Sequence, residues 1–397
     1  MPGLDLGAAL RAAQLADPAA VPNVVTRVAA EIGGTDVVVY LVDFAQTVLQ
    51  PMPDFHTHAS VSESEPVAGT MAGRAFSSQI ATTVERDEGI RVWVPIVEGS
   101  DRTGVLALTV PDASAATIGA CEELALFTGH LIATEARSTD IYNLHRRRRS
   151  LTLAAGMQWD LLPPLVLKTD RLVVAGLLEP AYEVGGDCFD YALNGDQFNI
   201  AVFDPVGHGV PSALMAALAV GSYRHDRREG QSLERIHANL DTVMTGDFPD
   251  LAFATGQLAQ IDIETGSMRW TNAGHPTPLL IRGGRVIHEL ECPPTLPWGL
   301  GGIDSTGASA VTVAEEALEP GDSVLFYTDG VVEAHSPGGE QFGSDRLADL
   351  VTQHMSNLLE PEETVRRLVA AVLEHQDDHL ADDATIVLFR WNGSDRG

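Results

Sequence analysis

The chain has 397 residues, 45% of them hydrophobic and 20% charged, which is typical of a folded globular protein long enough for about two domains. Its formal net charge of −30 disfavours binding to nucleic acid. The three cysteines (Cys121, Cys188 and Cys292) are too far apart in sequence to indicate a thiolate zinc site or a disulfide framework. There is no signal-peptide pattern and no apolar run near the ~18 residues that cross a bilayer, so we expect a cytoplasmic protein without membrane association.

The first β-rich segments occur between residues 36 and 110. A helix is predicted from about residue 22, followed by strands at 36–43, 91–97 and 104–110. Residues 98–103 (EGSDRT) have the composition of a hairpin turn, so the last two strands are predicted to be neighbours. Strands flanked by helices indicate an α/β sandwich.

This order of elements, together with residues 66–76 (PVAGTMAGRAF) and 94–97 (VPIV), resembles a GAF domain over residues 15–135. The resemblance implies a sensor domain. Members of this family bind cyclic nucleotides, tetrapyrroles or small metabolites, or serve only to dimerise, and the residues leave these alternatives open. A cysteine placed to carry a bilin is not evident, because Cys121 falls in the helix after the sheet.

A helical linker is predicted for residues 136–165. Helical spacing runs from Ile118 towards Leu162, and the apolar stripe along it favours a parallel homodimer through the linker and the GAF-like domain. The basic run at 146–149 is interpreted as a solvated helix face and not as a membrane or nucleic-acid patch. The stripe comprises Leu124, Phe127, Leu131, Ile141 and Leu144.

Residues 166–393 are predicted to form the second domain. Short β-rich runs alternate there with longer helical segments, which indicates stacked layers with sheets inside and helices outside. The predicted strands are 172–175, 198–203, 256–263, 278–281, 323–327 and 385–389, and the predicted helices are 212–223, 233–244 and 362–374.

Four aspartate motifs stand out in this domain: 185–190 (GGDCFD), 203–209 (FDPVGHG), 327–333 (YTDGVVE) and 381–385 (ADDAT). Predicted strands end just before Asp204 and close to Asp329, and strand ends hold catalytic groups rigidly while leaving them open to solvent. Clustered carboxylates repel one another unless divalent cations neutralise them, and oxygen ligands favour Mg²⁺ or Mn²⁺ over zinc. One such motif could be a simple turn, but four favour a metal site.

These motifs in this order, with 158–163 (QWDLLP), 253–255 (FAT) and 272–276 (NAGHP), resemble the SpoIIE/RsbU-like branch of the metal-dependent (PPM-type) serine/threonine phosphatases, relatives of protein phosphatase 2C. The resemblance covers about residues 155–391 and implies an α-β-β-α sandwich. It also implies hydrolysis of phosphoserine or phosphothreonine by a water activated between two Mn²⁺ or Mg²⁺ ions. The implied substrate is a phosphorylated anti-sigma-factor antagonist, and 158–163 would lie on a helix that transmits the state of the sensor.

The same resemblance implies the catalytic metal ligands. Asp204 corresponds to the carboxylate that bridges both ions, and the backbone carbonyl of Pro205 to a further ligand. Asp187 corresponds to the carboxylate of the second ion, and Asp329 and Asp382 to ligands of the first. Proline after the bridging aspartate departs from the usual pattern, but it keeps its carbonyl oxygen and favours an extended Asp204.

Other residues of these motifs are predicted to have supporting roles. The resemblance implies that Asp190 and Asp383 support the ligands or hold water. Cys188 is interpreted as a core residue. His208 and His275 could act in general acid–base catalysis, but a turn role is favoured for His208 and a structural role for His275.

Two alternative functions remain open. The Gly-Gly-Asp at 185–187 after a GAF-like domain would suit a diguanylate cyclase, but Cys188 and Phe189 replace the acidic–aromatic pair of that class. A phosphatase-like domain could also bind a partner or act as a scaffold without hydrolysing anything. The presence of all four expected ligand aspartates disfavours this second alternative.

Overall fold

The computed structural model describes residues 4–14, 17–53, 62–179, 182, 186–247, 252–301, 311–377 and 382–394. The chain divides into two compact units, Met1–Ser150 and Leu151–Gly397. Their boundary falls inside the predicted linker. Among the described residues, no helix is both long and apolar enough to cross a bilayer.

The N-terminal unit contains one antiparallel sheet with the strand order β3-β2-β1-β6-β5-β4. Its strands are β1 Thr35–Val42, β2 Val48–Pro51, β3 Glu65–Pro66, β4 Thr82–Arg86, β5 Gly89–Glu98 and β6 Asp101–Val110. Its helices are α1 Leu6–Ala13, a 3₁₀ turn at Pro18–Ala20, α2 Val21–Ala30, α3 Met71–Ser78, α4 Ala115–Glu135 and α5 Ile141–Arg146.

Both faces of this sheet are buried. Alternate residues of β5 show it: Val92 and Val94 belong to the core shared with α2 and α4, whereas Trp93 packs on the opposite face with Phe76 of α3. The predicted hairpin is present, with β5 paired to β6. The unit is therefore the mixed α/β sandwich that was expected, and its identity as a GAF-like domain stays a prediction.

The continuous helical stretch predicted from Ile118 towards Leu162 is wrong, because the structure has three helices there: α4, α5 and α6 (Leu153–Leu161). Ser, Thr and Asp residues interrupt the stretch, since their side chains compete for backbone hydrogen bonds. Thr152, for example, accepts a hydrogen bond from the backbone N–H of Ala155 and caps α6.

The apolar stripe of α4 packs within its own unit, where Leu124, Phe127 and Leu131 are core residues. The basic run is not simply a solvated helix face either, since α5 ends at Arg146. The Arg146 guanidinium donates to the carbonyl of Val42, 2.9 Å away. The buried residues of this stripe are therefore not available as a dimer interface. The homodimer itself stays a prediction.

The C-terminal unit contains two antiparallel sheets. The five-stranded sheet has the order β15-β12-β11-β10-β9, and the six-stranded sheet β14-β13-β16-β17-β8-β7. The strands are β7 Val166–Lys168, β8 Leu172–Glu179, β9 Cys188–Asn194, β10 Gln197–Pro205, β11 Ala254–Asp262, β12 Ser267–Ala273, β13 Leu279–Arg282, β14 Arg285–Glu289, β15 Ala314–Ala317, β16 Ser323–Tyr327 and β17 Ala384–Trp391. The helices besides α6 are α7 Val210–Arg228, α8 Leu233–Asp247, α9 Asp329–Val332, α10 Ser344–Ser356 and α11 Pro361–His375.

The two sheets pack face to face, and each is covered by helices on its outer side. Phe198 of β10 stacks on Phe389 of β17 with ring centroids 5.0 Å apart, inside the core between the sheets. The next residues of β10 alternate, so that Phe203 packs outward among side chains of α7 and α8. Helices α10 and α11 contribute Val351 and Leu368 to the core on the other side. This arrangement confirms the predicted α-β-β-α layering.

Candidate active site

The predicted carboxylates lie at one edge of the sheet pair. Asp204 is near the end of β10, and Asp187 directly precedes β9, whose Cys188 pairs with Phe203 of β10. Asp329 follows β16, and Asp382 and Asp383 precede β17, the antiparallel neighbour of β16. Two strand ends and two strand starts therefore meet at this edge. Gly185 and Ala381 of these motifs lie outside the described residues.

Buried hydrogen bonds join the two sheets at this edge. The Asp187 N–H donates to Oδ2 of Asp383 at 3.2 Å, and the Thr328 hydroxyl donates to Oδ2 of Asp187 at 2.6 Å. Thr328 in turn accepts from the N–H of Thr385 at 3.0 Å. Asp383 thus contacts a predicted ligand, as a supporting role requires. Thr328 was not recognised from the sequence, although it directly precedes Asp329.

Asp204 has its own hydrogen-bonding partner across the strand pair. Thr255 of β11 is the register partner of Asp204, and its hydroxyl donates to Oδ2 of Asp204 at 3.2 Å. The same hydroxyl oxygen lies 2.8 Å from Nδ1 of His275. Both residues belong to motifs that the sequence singled out, but their connection to Asp204 was not predicted.

Burial and mutual repulsion raise the pKa values of these carboxyl groups. Burial, then the charges of Asp204 and Asp383, raise the pKa of Asp187 well above its usual value. Burial, then Asp329 and Asp382, raise the pKa of Asp204 to about 7. Burial followed by Asp382 also raises the pKa of Asp329. The cluster therefore favours bound protons or bound cations over free negative charge.

The available donors suit a hard divalent cation. They are carboxylate oxygens and the backbone carbonyl of Pro205, all of which suit Mg²⁺ or Mn²⁺. Gly186 is needed beside that carbonyl, because a Cβ there would lie 3.2 Å from the Pro205 oxygen and 1.7 Å from Oγ of Ser212. Among the described residues, no three His, Cys, Asp or Glu side chains already form a ligand set around one point. The site is thus a cluster of neighbouring carboxylates and not a closed cage.

The prediction for Asp190 is wrong. Its carboxylate is buried, and its two oxygens bind Arg224 and Arg227 of α7, each at 2.7 Å. Residues 188 and 190 share the face of β9 that meets the helices, so the Asp190 side chain fastens α7 to the sheet. Cys188, on that same face, is fully buried, which confirms its interpretation as a core residue.

The two histidines occupy different environments. His208 is exposed between Gly207 and Gly209, which have φ values of 91° and 77°, so it lies in a turn that glycine permits. His275 is buried, and its backbone N–H and C=O are both bonded to the side chain of Asn272, at 2.7 and 2.9 Å. The turn role of His208 and the structural role of His275 both fit these positions.

Helix α6 also reaches the site. Gln158 is buried, and its side-chain amide donates to the backbone carbonyl of Asp187. At the end of the same helix, the carbonyl of Leu161 accepts from Arg224 at 2.6 Å. Arg224 also binds Asp190, so α6 is tied to both ends of the segment 187–190.

Comparisons with known proteins identify the family of the C-terminal unit. Residues 194–392, half of the chain, match the model of the family Stage II sporulation protein E (SpoIIE). The phosphoserine phosphatase RsbU of Bacillus subtilis is 24% identical over 244 residues, which are 61% of this chain and 70% of RsbU. The phosphoserine phosphatase RsbP of the same organism is 24% identical over 249 residues, 61% of this chain and 57% of RsbP.

A solved structure shows the same domain fold. The SiaA-PP2C domain of Pseudomonas aeruginosa superposes with a TM-score of 0.50 at 26% identity, and the match covers 60% of this chain and 94% of that domain. These relatives are phosphatases, so the diguanylate cyclase alternative has no support among them. We conclude that this chain belongs to the SpoIIE family and is a serine/threonine protein phosphatase.

Proposed function

We propose that this enzyme removes phosphate from phosphoserine or phosphothreonine of a protein substrate with the help of two Mn²⁺ or Mg²⁺ ions. The observation that carries the proposal is the meeting of carboxylates from four separate motifs at one edge of the sheet pair, with the pKa of Asp187, Asp204 and Asp329 raised by burial and mutual repulsion. Such a cluster is unfavourable unless positive charge neutralises it.

We assign the residues to the two ions as the family resemblance implies. Asp204 would contact both ions, Asp187 the second, and Asp329 and Asp382 the first, while the Pro205 carbonyl would complete one of the two coordination shells. When bound, such ions supply a water of lowered pKa for attack on phosphorus and neutralise the phosphoryl oxygens.

The protein groups hold and order this set of ligands. Thr328 and Thr255 orient the carboxylates of Asp187 and Asp204 by donating hydrogen bonds. Asp187 is buried, Asp204 and Asp329 are partly buried, and Asp382 is exposed. We infer that the phosphorylated side chain enters from the side of Asp382.

The direct test is hydrolysis of p-nitrophenyl phosphate and of a phosphoserine protein by the wild type and by Asp204→Ala. We expect turnover that depends on Mn²⁺ and falls at least about a hundredfold in the variant, since even the partners of metal ligands typically contribute about 10- to 100-fold and a ligand itself should contribute more. Equal activity in both proteins would refute the assignment of Asp204. Binding of Mn²⁺ without release of phosphate from any phosphoprotein would favour a phosphatase-like scaffold instead.

For the substrate, we propose a phosphorylated anti-sigma-factor antagonist, as the resemblance to the SpoIIE/RsbU-like branch implies. Release of phosphate from such an antagonist should be much faster than from an unrelated phosphoserine protein of the same concentration. Mass spectrometry of both proteins in one reaction measures this preference directly. Equal rates for the two would argue against the antagonist.

For regulation, we propose that the GAF-like unit senses a small molecule and forms a homodimer together with the linker. Support comes from α6, whose Gln158 and Leu161 contact groups at both ends of the segment that contains Asp187. A change in α6 would therefore act directly on a ligand of the proposed second ion. Analytical ultracentrifugation of the full chain tests the dimer, and a monomer at micromolar concentration would contradict it.

A further inference from the structure

His275 has a connection that its role in the turn does not explain. Its side chain is only 6% exposed, and Nδ1 lies 2.8 Å from the hydroxyl oxygen of Thr255. That hydroxyl lies 3.2 Å from Oδ2 of Asp204. The ring also lies near the backbone of Tyr327, at the end of the strand that leads to Asp329. His275 thus lies between Thr255, the partner of Asp204 on β11, and the end of the strand that leads to Asp329.

The number of available protons fixes which group donates and which accepts along the hydrogen bonds from His275 through Thr255 to Asp204. When a divalent cation is bound, Asp204 is ionised and its carboxylate only accepts hydrogen bonds, so the single hydroxyl proton of Thr255 then points to Asp204. The Thr255 oxygen must then accept from His275, which requires the proton of the neutral imidazole to be on Nδ1. In this tautomer Nε2 carries no proton.

Burial keeps the His275 ring in the neutral form that these hydrogen bonds require. It lowers the pKa of His275 to about 3, so the imidazole carries one proton at neutral pH. A protonated Nδ1 facing Thr255 prevents the hydroxyl from donating back to the ring. The hydroxyl therefore has one favourable orientation, towards Asp204.

We propose that His275 is a positioning residue for the phosphatase reaction, which acts through the Thr255 hydroxyl to fix the carboxylate of Asp204 for binding of the divalent ion. The inference rests on the proposed function, because it assumes that Asp204 is a metal ligand. Groups that hydrogen-bond to metal ligands typically contribute about 10- to 100-fold to metal affinity. The role is distinct from acid–base catalysis, since His275 does not need to contact the substrate.

A second buried histidine in the same unit provides a matched control. His237 of α8 is 4% exposed, and its ring nitrogens lie 3.1 Å and 2.9 Å from the hydroxyls of Thr271 and Thr295. Burial lowers its pKa to about 4. Within the described part of the chain, neither threonine is hydrogen-bonded to a carboxylate of the cluster. Loss of His237 should therefore cost stability without changing metal affinity.

The test is the dissociation constant of Mn²⁺ for the full chain, measured from free Mn²⁺ by electron paramagnetic resonance, for Thr255→Val, His275→Ala, the double variant and His237→Ala. We expect Thr255→Val and His275→Ala to weaken binding by about 10-fold or more. The double variant should bind no more weakly than Thr255→Val, because His275 acts through that hydroxyl. His237→Ala should bind like the wild type.

Conservative variants keep the test informative if an alanine variant unfolds. Thr255→Ser retains the hydroxyl, and His275→Asn retains an N–H donor near the position of Nδ1, so both should bind Mn²⁺ within about threefold of the wild type. In the absence of metal, the unfolding temperature should fall for both histidine→alanine variants. A loss of stability alone therefore does not identify the positioning role.

The metal site at Asp204 and the positioning role of His275 can be tested separately. If the wild type binds Mn²⁺ and Asp204→Ala does not, but His275→Ala binds within twofold of the wild type, the positioning role is overturned and the proposed function stands. Additive losses in the double variant would also overturn it, because His275 would then act by another route. If Asp204→Ala binds Mn²⁺ as tightly as the wild type, the proposed metal site itself is wrong.

Discussion

Asp187 and Asp190 are buried three residues apart in the same motif, yet their surroundings are opposite. Asp190 faces α7, and both of its oxygens are paired with arginine guanidinium groups. Asp187 faces the neighbouring carboxylates of Asp204 and Asp383, which raise its pKa further beyond the effect of burial. A buried aspartate is therefore structural when the fold supplies a countercharge for it. It is a candidate metal ligand when the fold supplies none.

The largest effect is expected when the paired aspartate is neutralised. Asp190→Asn would leave Arg224 and the buried Arg227 side chain without their carboxylate, and breaking such a buried ion pair typically costs about 3–5 kcal/mol. Urea unfolding of the variant and the wild type measures this loss. Asp196→Asn is the matched control, because Asp196 lies in the turn between β9 and β10, where its pair with Arg171 is exposed, and its loss should change stability far less. Similar small losses in both variants would remove the distinction drawn for Asp190.

An intermediate effect of opposite sign is expected at the unpaired cluster. In chelator, the pKa of Asp204 is raised to about 7, so this group stabilises the fold at low pH and the contribution is lost as the pH rises through about 7. Asp204→Asn should therefore be more stable than the metal-free wild type at pH 8, by at least about 1–2 kcal/mol, and the difference should disappear only near pH 4, where the carboxyl group is protonated in the unfolded chain as well.

The measurement is the difference in the free energy of unfolding between Asp204→Asn and the wild type at each pH. His237 and His275 have lowered pKa values and act in the opposite direction, but they do so equally in both proteins. Saturating Mn²⁺ should reverse the order at pH 8, since a ligand at 100 times its dissociation constant stabilises by about 2.7 kcal/mol. A variant that is less stable than the wild type in chelator at pH 8 would contradict the repulsion described for this cluster.

A destabilisation of comparable size is expected when the hydroxyl that supports Asp187 is removed. Thr328→Val keeps the shape of the side chain but removes both the donor to Asp187 and the acceptor for the N–H of Thr385. Loss of these buried hydrogen bonds should cost about 1–3 kcal/mol in thermal or urea unfolding in the presence of Mn²⁺. Thr328→Ser retains the hydroxyl and should stay close to the wild type. Equal stability of all three proteins would mean that Asp187 does not depend on this partner.

Strong local patterns made much of the C-terminal fold predictable. The apolar strands β10 and β16 were predicted together with the aspartates that follow them, because a buried strand reads as an uninterrupted apolar run. Strand β9 was not predicted, since Asp190 and Asn194 interrupt its pattern and only the buried arginine pairs make Asp190 compatible with a strand. The helical spacing of the linker predicts one helix, whereas the Ser, Thr and Asp residues between α4 and α6 compete for backbone hydrogen bonds and divide the stretch into three.

The amino-acid sequence by itself determined that Asp204, Asp329 and Asp382 would adjoin apolar strands, and the four aspartate motifs together predicted a carboxylate site suited to divalent cations in the second unit. Tertiary structure alone decided which aspartate belongs to that site. Asp190 lies as close in sequence to Asp187 as any candidate, but the pleat of β9 directs it to arginines that are 34 and 37 residues further along the chain. The same holds for Thr328, Thr255 and Gln158, because the partner that makes each of them relevant is brought close only by non-local packing.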